Sequence, residues 1–322
     1  MFETIFKTSQ MFFLLLISTF SFCAASISQK NGTLSPHVVF VTGDEEYRSE
    51  ESMPMIANIL HHNHGMKVTI CYAIDPNSGM INPDYLLGIQ GLEALDKADL
   101  VVFFIRFRQL PDDQFEKILA YLESGRPIIG FRTSTHAFLY NENDPRSIWN
   151  DAFGTKIFGQ KWITHHGHHE VRPLTHVYRQ AENKNHPILL GVNSFQAHSW
   201  LYHVHGGKHR LQGDYKLLLN GHALLSTHIE NLDLYPLDNP VAWTNSYLGA
   251  RVFFTTLGHP YDFQEPAMRK LVVNGIFWAL GLENRIPKEG SNVDLIEKYA
   301  PSNAAFGGYK RNQKPRQIGN HE

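Results

Sequence analysis

An α/β fold with a doubly wound, mostly parallel sheet is predicted by three features of this 322-residue chain. Residues 38–42, 67–73, 99–105 and 127–131 are short runs that stay largely apolar instead of alternating, as strands covered on both faces must. Amphipathic stretches lie between them, so successive strands join through right-handed crossovers. Three of the runs stop in polar turns: Gly43-Asp-Glu-Glu-Tyr47, Arg106-Phe-Arg108 and Arg132-Thr-Ser-Thr-His136. Ligands of open α/β sheets bind just outside the carboxyl ends of the strands, so these turns are the expected seat of chemistry.

The elements follow in order. Lys7, the apolar run 11–22 and the small residues Cys23-Ala-Ala-Ser26 form a signal-peptide pattern over residues 1–25, too short for a membrane span. Export to the periplasm or the extracellular space is expected, with no span left after cleavage. The mature chain then keeps a single cysteine, Cys71, and can form no internal disulfide. After the first strand, residues 49–60 carry Pro54 near a helix start, with Met55, Ile56, Ile59 and Leu60 on one face. Residues 75–84 are a Pro/Asn/Gly-rich loop, and 92–98 a short helix. Residues 111–123 form a helix with Pro at its start, acids in its first turn, Phe115, Ile118, Leu119 and Leu122 at helical spacing and Gly125 as its stop.

Past the fourth strand, residues 147–153 suggest a helix closed by Gly154, and 162–171 and 186–191 read as irregular or edge structure. Later strands are expected at 215–219, 240–243 and 250–256, and an amphipathic helix at 266–282 turns Leu271, Val272, Gly275, Ile276 and Ala279 inward. From residue 283 the chain becomes polar. One α/β domain over residues 37–282, followed by a surface tail at 283–322, is expected. With 29 basic and 31 acidic residues the net charge is −2, which gives no electrostatic reason for a nucleic-acid partner and suits a small neutral or mildly charged ligand.

The first strand with its polar turn, the strand and elbow at 127–136, His186-Pro-Ile188 and Gly249-Ala-Arg-Val-Phe-Phe-Thr-Thr-Leu-Gly-His259 before a helix ending Trp278-Ala-Leu-Gly281 stand in an order that resembles the ThuA-like (trehalose-utilisation) family. The resemblance covers roughly residues 37–282. It implies a class I glutamine amidotransferase-like, flavodoxin-like fold and a role in sugar catabolism, often beside oxidoreductases that make 3-keto sugars. In some members it implies a histidine-bound metal. This chain departs from the pattern: Arg106 to Arg108 and Arg132 stand where relatives often carry histidine, and His198-Ser-Trp-Leu-Tyr202 keeps the tyrosine but has His in place of an acid.

The elbow 130–134 offers no cysteine, so glutamine amidotransferase activity is not expected. Ser134 or Thr133 beside His136 is a substitute nucleophile, although turn hydroxyls more often satisfy backbone groups. Of the 19 histidines, His165-His-Gly-His-His169 suggests a divalent metal such as Zn²⁺, with His166 and His168 as candidate ligands. No cofactor is required by the pattern. The leading expectation is an exported enzyme acting on a sugar or keto-sugar by acid/base chemistry. His136 and His259 would transfer protons, Arg132 would stabilise charge, and Asp44, Glu45, Arg106, Thr133, His169 and Tyr202 would hold the substrate. Arg106, Arg108 and Arg132 would alternatively pair with Asp44, Glu45 or Glu46, and Trp162 and Trp200 would provide flat faces for a sugar ring. The rivals are a non-catalytic glycan- or metal-binding module and a His-ligated metallohydrolase.

Overall fold

Runs of valine, isoleucine and phenylalanine with no polar face bury themselves between helices. In the computed structural model, which describes residues 35–168 and 172–319, they form the centre of a nine-stranded sheet. The strands are β1 (His37–Gly43), β2 (Lys67–Cys71), β3 (Leu100–Ile105), β4 (Ile128–Phe131), β5 (Thr175–Arg179), β6 (Phe195–Ala197), β7 (Lys216–Ala223), β8 (Asp238–Tyr247) and β9 (Ala250–Thr255). Their order is β2-β1-β3-β4-β9-β8-β7-β5-β6. The expected signal peptide at 1–25 and His169 lie outside the described residues, and no helix among the described residues is long and apolar enough to cross a membrane.

The fold is α/β as expected, but the sheet is mixed where a mostly parallel one is expected. Strands β2, β1, β3, β4 and β9 are parallel neighbours, whereas β9, β8, β7, β5 and β6 pair antiparallel. The reason lies at Leu248 and Gly249, whose φ angles of 48° and 83° form the two-residue loop between Tyr247 and its partner Ala250. A loop that short, with both residues left-handed, joins only antiparallel strands. β5 and β6, five and three residues long, have no counterpart among the expected strands, because runs that short carry little periodicity.

Helices cover both faces of the parallel strands. Along β1, Val38 and Phe40 pack with Met53, Ile56 and Leu60 of α1 (Ser49–His64) and with the core residues of α4 (Pro266–Ala279). Val39 and Val41 point the other way, toward Phe115, Ile118 and Leu122 of α2 (Asp112–Glu123). α2 follows Pro111 and opens with Asp112 and Asp113, as its sequence signals predict. A short helix, α3 (Trp149–Ala152), runs into a π-helical turn that places Phe158 over β4. Its ring lies where a Gly130 Cβ would be, at 2.3 and 2.5 Å, with Phe254 at 2.9 Å. Gly130→Ala is therefore expected to cost about 3 kcal/mol, read as a lower denaturant midpoint at unchanged slope.

β2 lies on one side of β1 and β3 on the other, so the strand order reverses at the β1/β3 pair. At such a switch point a crevice opens beyond the strand ends. Residues 44–47 and 106–108 follow β1 and β3 at that end of the sheet. The segment after α4 does not hang free. It runs back along α1 with Ala304, Tyr309 and Ile318 buried, and Tyr299 Oη donates to the Pro260 carbonyl at 3.0 Å.

Candidate functional site

The turn after β1 is built by Asp44, which is fully buried. Its Oδ1 accepts from the backbone N–H groups of Glu46 and Tyr47, both at 2.7 Å, and its Oδ2 accepts from Thr133 Oγ1 in the elbow after β4. Asp44 and Thr133, expected to hold substrate, thus bond each other and tie two strand ends together. The turn points Glu45 and Glu46 toward the end of β3. Glu45 pairs with Arg106 and, at 3.1 Å, with Arg108. Arg108 is fully buried and also donates to the carbonyls of Pro83, Tyr85 and Arg106, so it belongs to the framework. Arg106 Nε lies 3.5 Å from Glu46 Oε2, and its side chain stays 14% exposed at the rim.

Two proton-exchanging groups share this corner. Burial, reinforced by the neighbouring Asp44 carboxylate, pushes the Glu46 carboxyl up to about 7, although Arg106 and Arg132 pull the other way. Burial and Asp44 raise Glu45 as well. His136, half-buried at the end of the elbow, is held well below the ordinary imidazole value, first by burial and then by the charges of Arg106 and Arg132. Thr135 Oγ1 gives its only hydrogen to the Arg132 carbonyl at 3.1 Å, so His136 Nδ1 donates to Thr135 Oγ1 at 3.1 Å. Nε2 is then left with a lone pair, which makes neutral His136 suited to act as a base.

Arg132 takes a left-handed backbone, φ 37°, that costs a non-glycine residue roughly 1 kcal/mol. The side chain accounts for it. Its Nη1 donates to the carbonyls of Trp200 at 3.1 Å and Thr256 at 2.8 Å, and Nη2 donates to Tyr47 Oη at 2.9 Å. The guanidinium carbon lies 4.3 Å from the ring centres of both Tyr47 and Tyr202. With no exposed surface, Arg132 acts as a positioning residue that staples the elbow to β9 and to the 198–202 loop. Tyr202 is itself buried, and His165 stacks near it and lies 4.7 Å from Trp200.

His259 lies at the same end of the sheet, its ring centre 6.4 Å from that of Tyr47. Asp262 holds its turn: Oδ2 accepts from the N–H groups of Gly258 and His259 at 3.1 Å, and Oδ1 from those of His198 and Ser199. The His259 Nδ1 accepts from the Tyr261 N–H at 3.1 Å. The Nδ1 lone pair is thereby engaged by the backbone of its own turn. Glu46, Tyr47 and Asp262 carry no signal that separates them by sequence from ordinary turn and core residues, apart from the position of Glu46 and Tyr47 in the first polar turn.

Of the described histidines of the 165–169 segment, His165 reaches this corner, and His166 and His168 do not converge with it. His166 is buried against Ser226 Oγ at 2.7 Å with His228 nearby, and His168 is exposed. Among the described residues, no group of three histidine, cysteine or acidic side chains is arranged to hold a metal ion.

A family described as ThuA, trehalose utilisation, matches residues 37–279. A ThuA-like protein from Bacteroides uniformis is 18% identical, with a TM-score of 0.50 over 78% of this chain and 94% of its own. Another from Parabacteroides merdae is 16% identical, with a TM-score of 0.50 over 87% of this chain and 99% of its own. At these identities the likeness establishes the fold alone. No curated protein matches the chain.

Proposed function

Because the chain belongs to the ThuA family, we propose that it is a carbohydrate-processing enzyme that moves protons on a sugar or keto-sugar at the β1/β3 switch point. One observation carries this reading: a carboxyl held protonated up to about pH 7, 3.5 Å from Arg106, and an imidazole held neutral by burial and the Arg106 charge share one end of the sheet. Environments that drive two titratable groups apart in this way mark an acid and a base. In this reading His136 removes a proton, Glu46 donates one, and Arg106 binds the oxygen that gains charge. Glu45 orients Arg106. Export stands as part of the proposal.

The test is incubation with trehalose, maltose and their 3-keto derivatives, with product analysis and a pH profile. Glu46 must be protonated to donate, so kcat/KM is expected to fall as pH rises through about 7. His136 must be neutral to accept, and its lowered value puts the acid limb well below pH 6.5. Glu46→Gln should remove the alkaline limb. Binding without turnover would assign the chain to the glycan-binding modules instead, and neither binding nor turnover across the panel would end the proposal.

A further inference from the structure

We infer that the C-terminal segment completes this site and that Phe306 is a specificity-determining residue, the outer ring platform for a carbohydrate. The inference rests on the function proposed above. The family match ends at residue 279, and the polypeptide beyond it returns to the rim of the crevice. Its anchors are at the site itself. Tyr299 bonds the carbonyl of Pro260, next to His259, and the Ala305 N–H donates to the Glu46 carbonyl at 3.0 Å. Arg48, fully buried, donates to the Ala305 carbonyl, and Glu51 Oε2 receives the Ser302 N–H at 3.1 Å and the Lys310 ammonium.

Between these anchors Ala304 is buried, yet Phe306, two residues on, is left 61% exposed. A phenylalanine forgoes about 2 kcal/mol by staying in water, so a segment serving only to cover α1 gains by turning this ring inward. Instead the ring lies over the Arg106 guanidinium, 5.1 Å from its centre to the guanidinium carbon, while Phe107 covers Arg106 at 4.2 Å. One face of Phe306 therefore holds the arginine and the other meets solvent. Trp162, 40% exposed and 5.6 Å from His136, supplies a second open ring beside the same polar floor. A flat, largely apolar ring next to charged hydrogen-bonding groups matches the two surfaces of a sugar, its C–H face and its hydroxyl edge.

The experiment compares Phe306→Leu and Phe306→Tyr in the full chain, with affinity, KM, kcat and Tm measured on trehalose, maltose and their 3-keto derivatives. Leucine keeps apolar cover over Arg106 and removes the ring. Phe306→Leu is expected to raise Kd and KM about five- to tenfold, the loss falling on KM more than kcat, with Tm unmoved, while Phe306→Tyr stays within about twofold of wild type. If Phe306→Leu binds like wild type while His136→Ala loses turnover, this inference fails and the proposed function stands. If Phe306→Leu lowers Tm and affinity together and tyrosine restores neither, the ring is structural and the inference fails again. If wild type binds none of the sugars, both fall.

Discussion

Replacing Arg132 with methionine is expected to destabilise the protein by about 3–5 kcal/mol, the largest stability loss foreseen for a single side chain here. Methionine fills a similar volume but donates nothing. The carbonyls of Trp200 and Thr256 and the hydroxyl of Tyr47 would all lose their donor in a fully buried place. Each such orphan costs roughly 1–3 kcal/mol. Removing the cation also removes one of the charges that restrain Glu46, so its carboxyl should rise above its present value of about 7. Arg132→Lys should fall between the two, since an ammonium on a flexible stem does not reproduce a planar fork that serves three acceptors. Denaturant titration and Tm measure the effect, expected on the order of 10 °C. A loss below about 1 kcal/mol for Arg132→Met would mean that the elbow holds itself without the staple.

His136→Ala should behave in the opposite way, costing activity and little stability. The ring is half-buried, and its one side-chain hydrogen bond goes to the adjacent Thr135. Its deletion therefore strands few groups, and a change within about 1 kcal/mol is expected. Turnover of a substrate found in the sugar panel should drop by about 10²–10⁴, the usual contribution of a positioned base. The pH profile distinguishes this from general damage, because residual activity in the variant should lose the acid limb that His136 imposes. Turnover at the wild-type level would remove His136 from the mechanism and shift attention to Glu46 and Glu45.

The contrast between these two variants also marks how far sequence reading reaches. Arg132 and His136 stand four residues apart in one polar elbow, and nothing local distinguishes a buried staple from a group at the rim. The distinction comes from Trp200, Thr256 and Tyr47, which are 68, 124 and 85 residues away from Arg132. His259 poses the same problem. Its place at the end of a buried strand is legible in Gly258-His259-Pro260, but its Nδ1 is engaged by the Tyr261 N–H and its turn is held by Asp262, both consequences of how the chain folds there. The histidine-rich run 165–169 invites a metal reading by composition, while the described part of it bonds Ser226 and stacks near Trp200.

By itself, the sequence determined the parallel half of the molecule. Short β-branched and aromatic apolar runs between turn signals read as strands buried on both faces, and Pro111 with Asp112 and Asp113 can start a helix wherever it lies, because these preferences act over a few residues. Only the tertiary structure decided that β9 turns back along β8 to make the sheet mixed, that Asp44 and Thr133 lock two strand ends together, and that Phe306 comes to rest over Arg106. Those outcomes depend on contacts between segments far apart in the chain, whose partners are chosen by packing and hydrogen-bond satisfaction across the whole core.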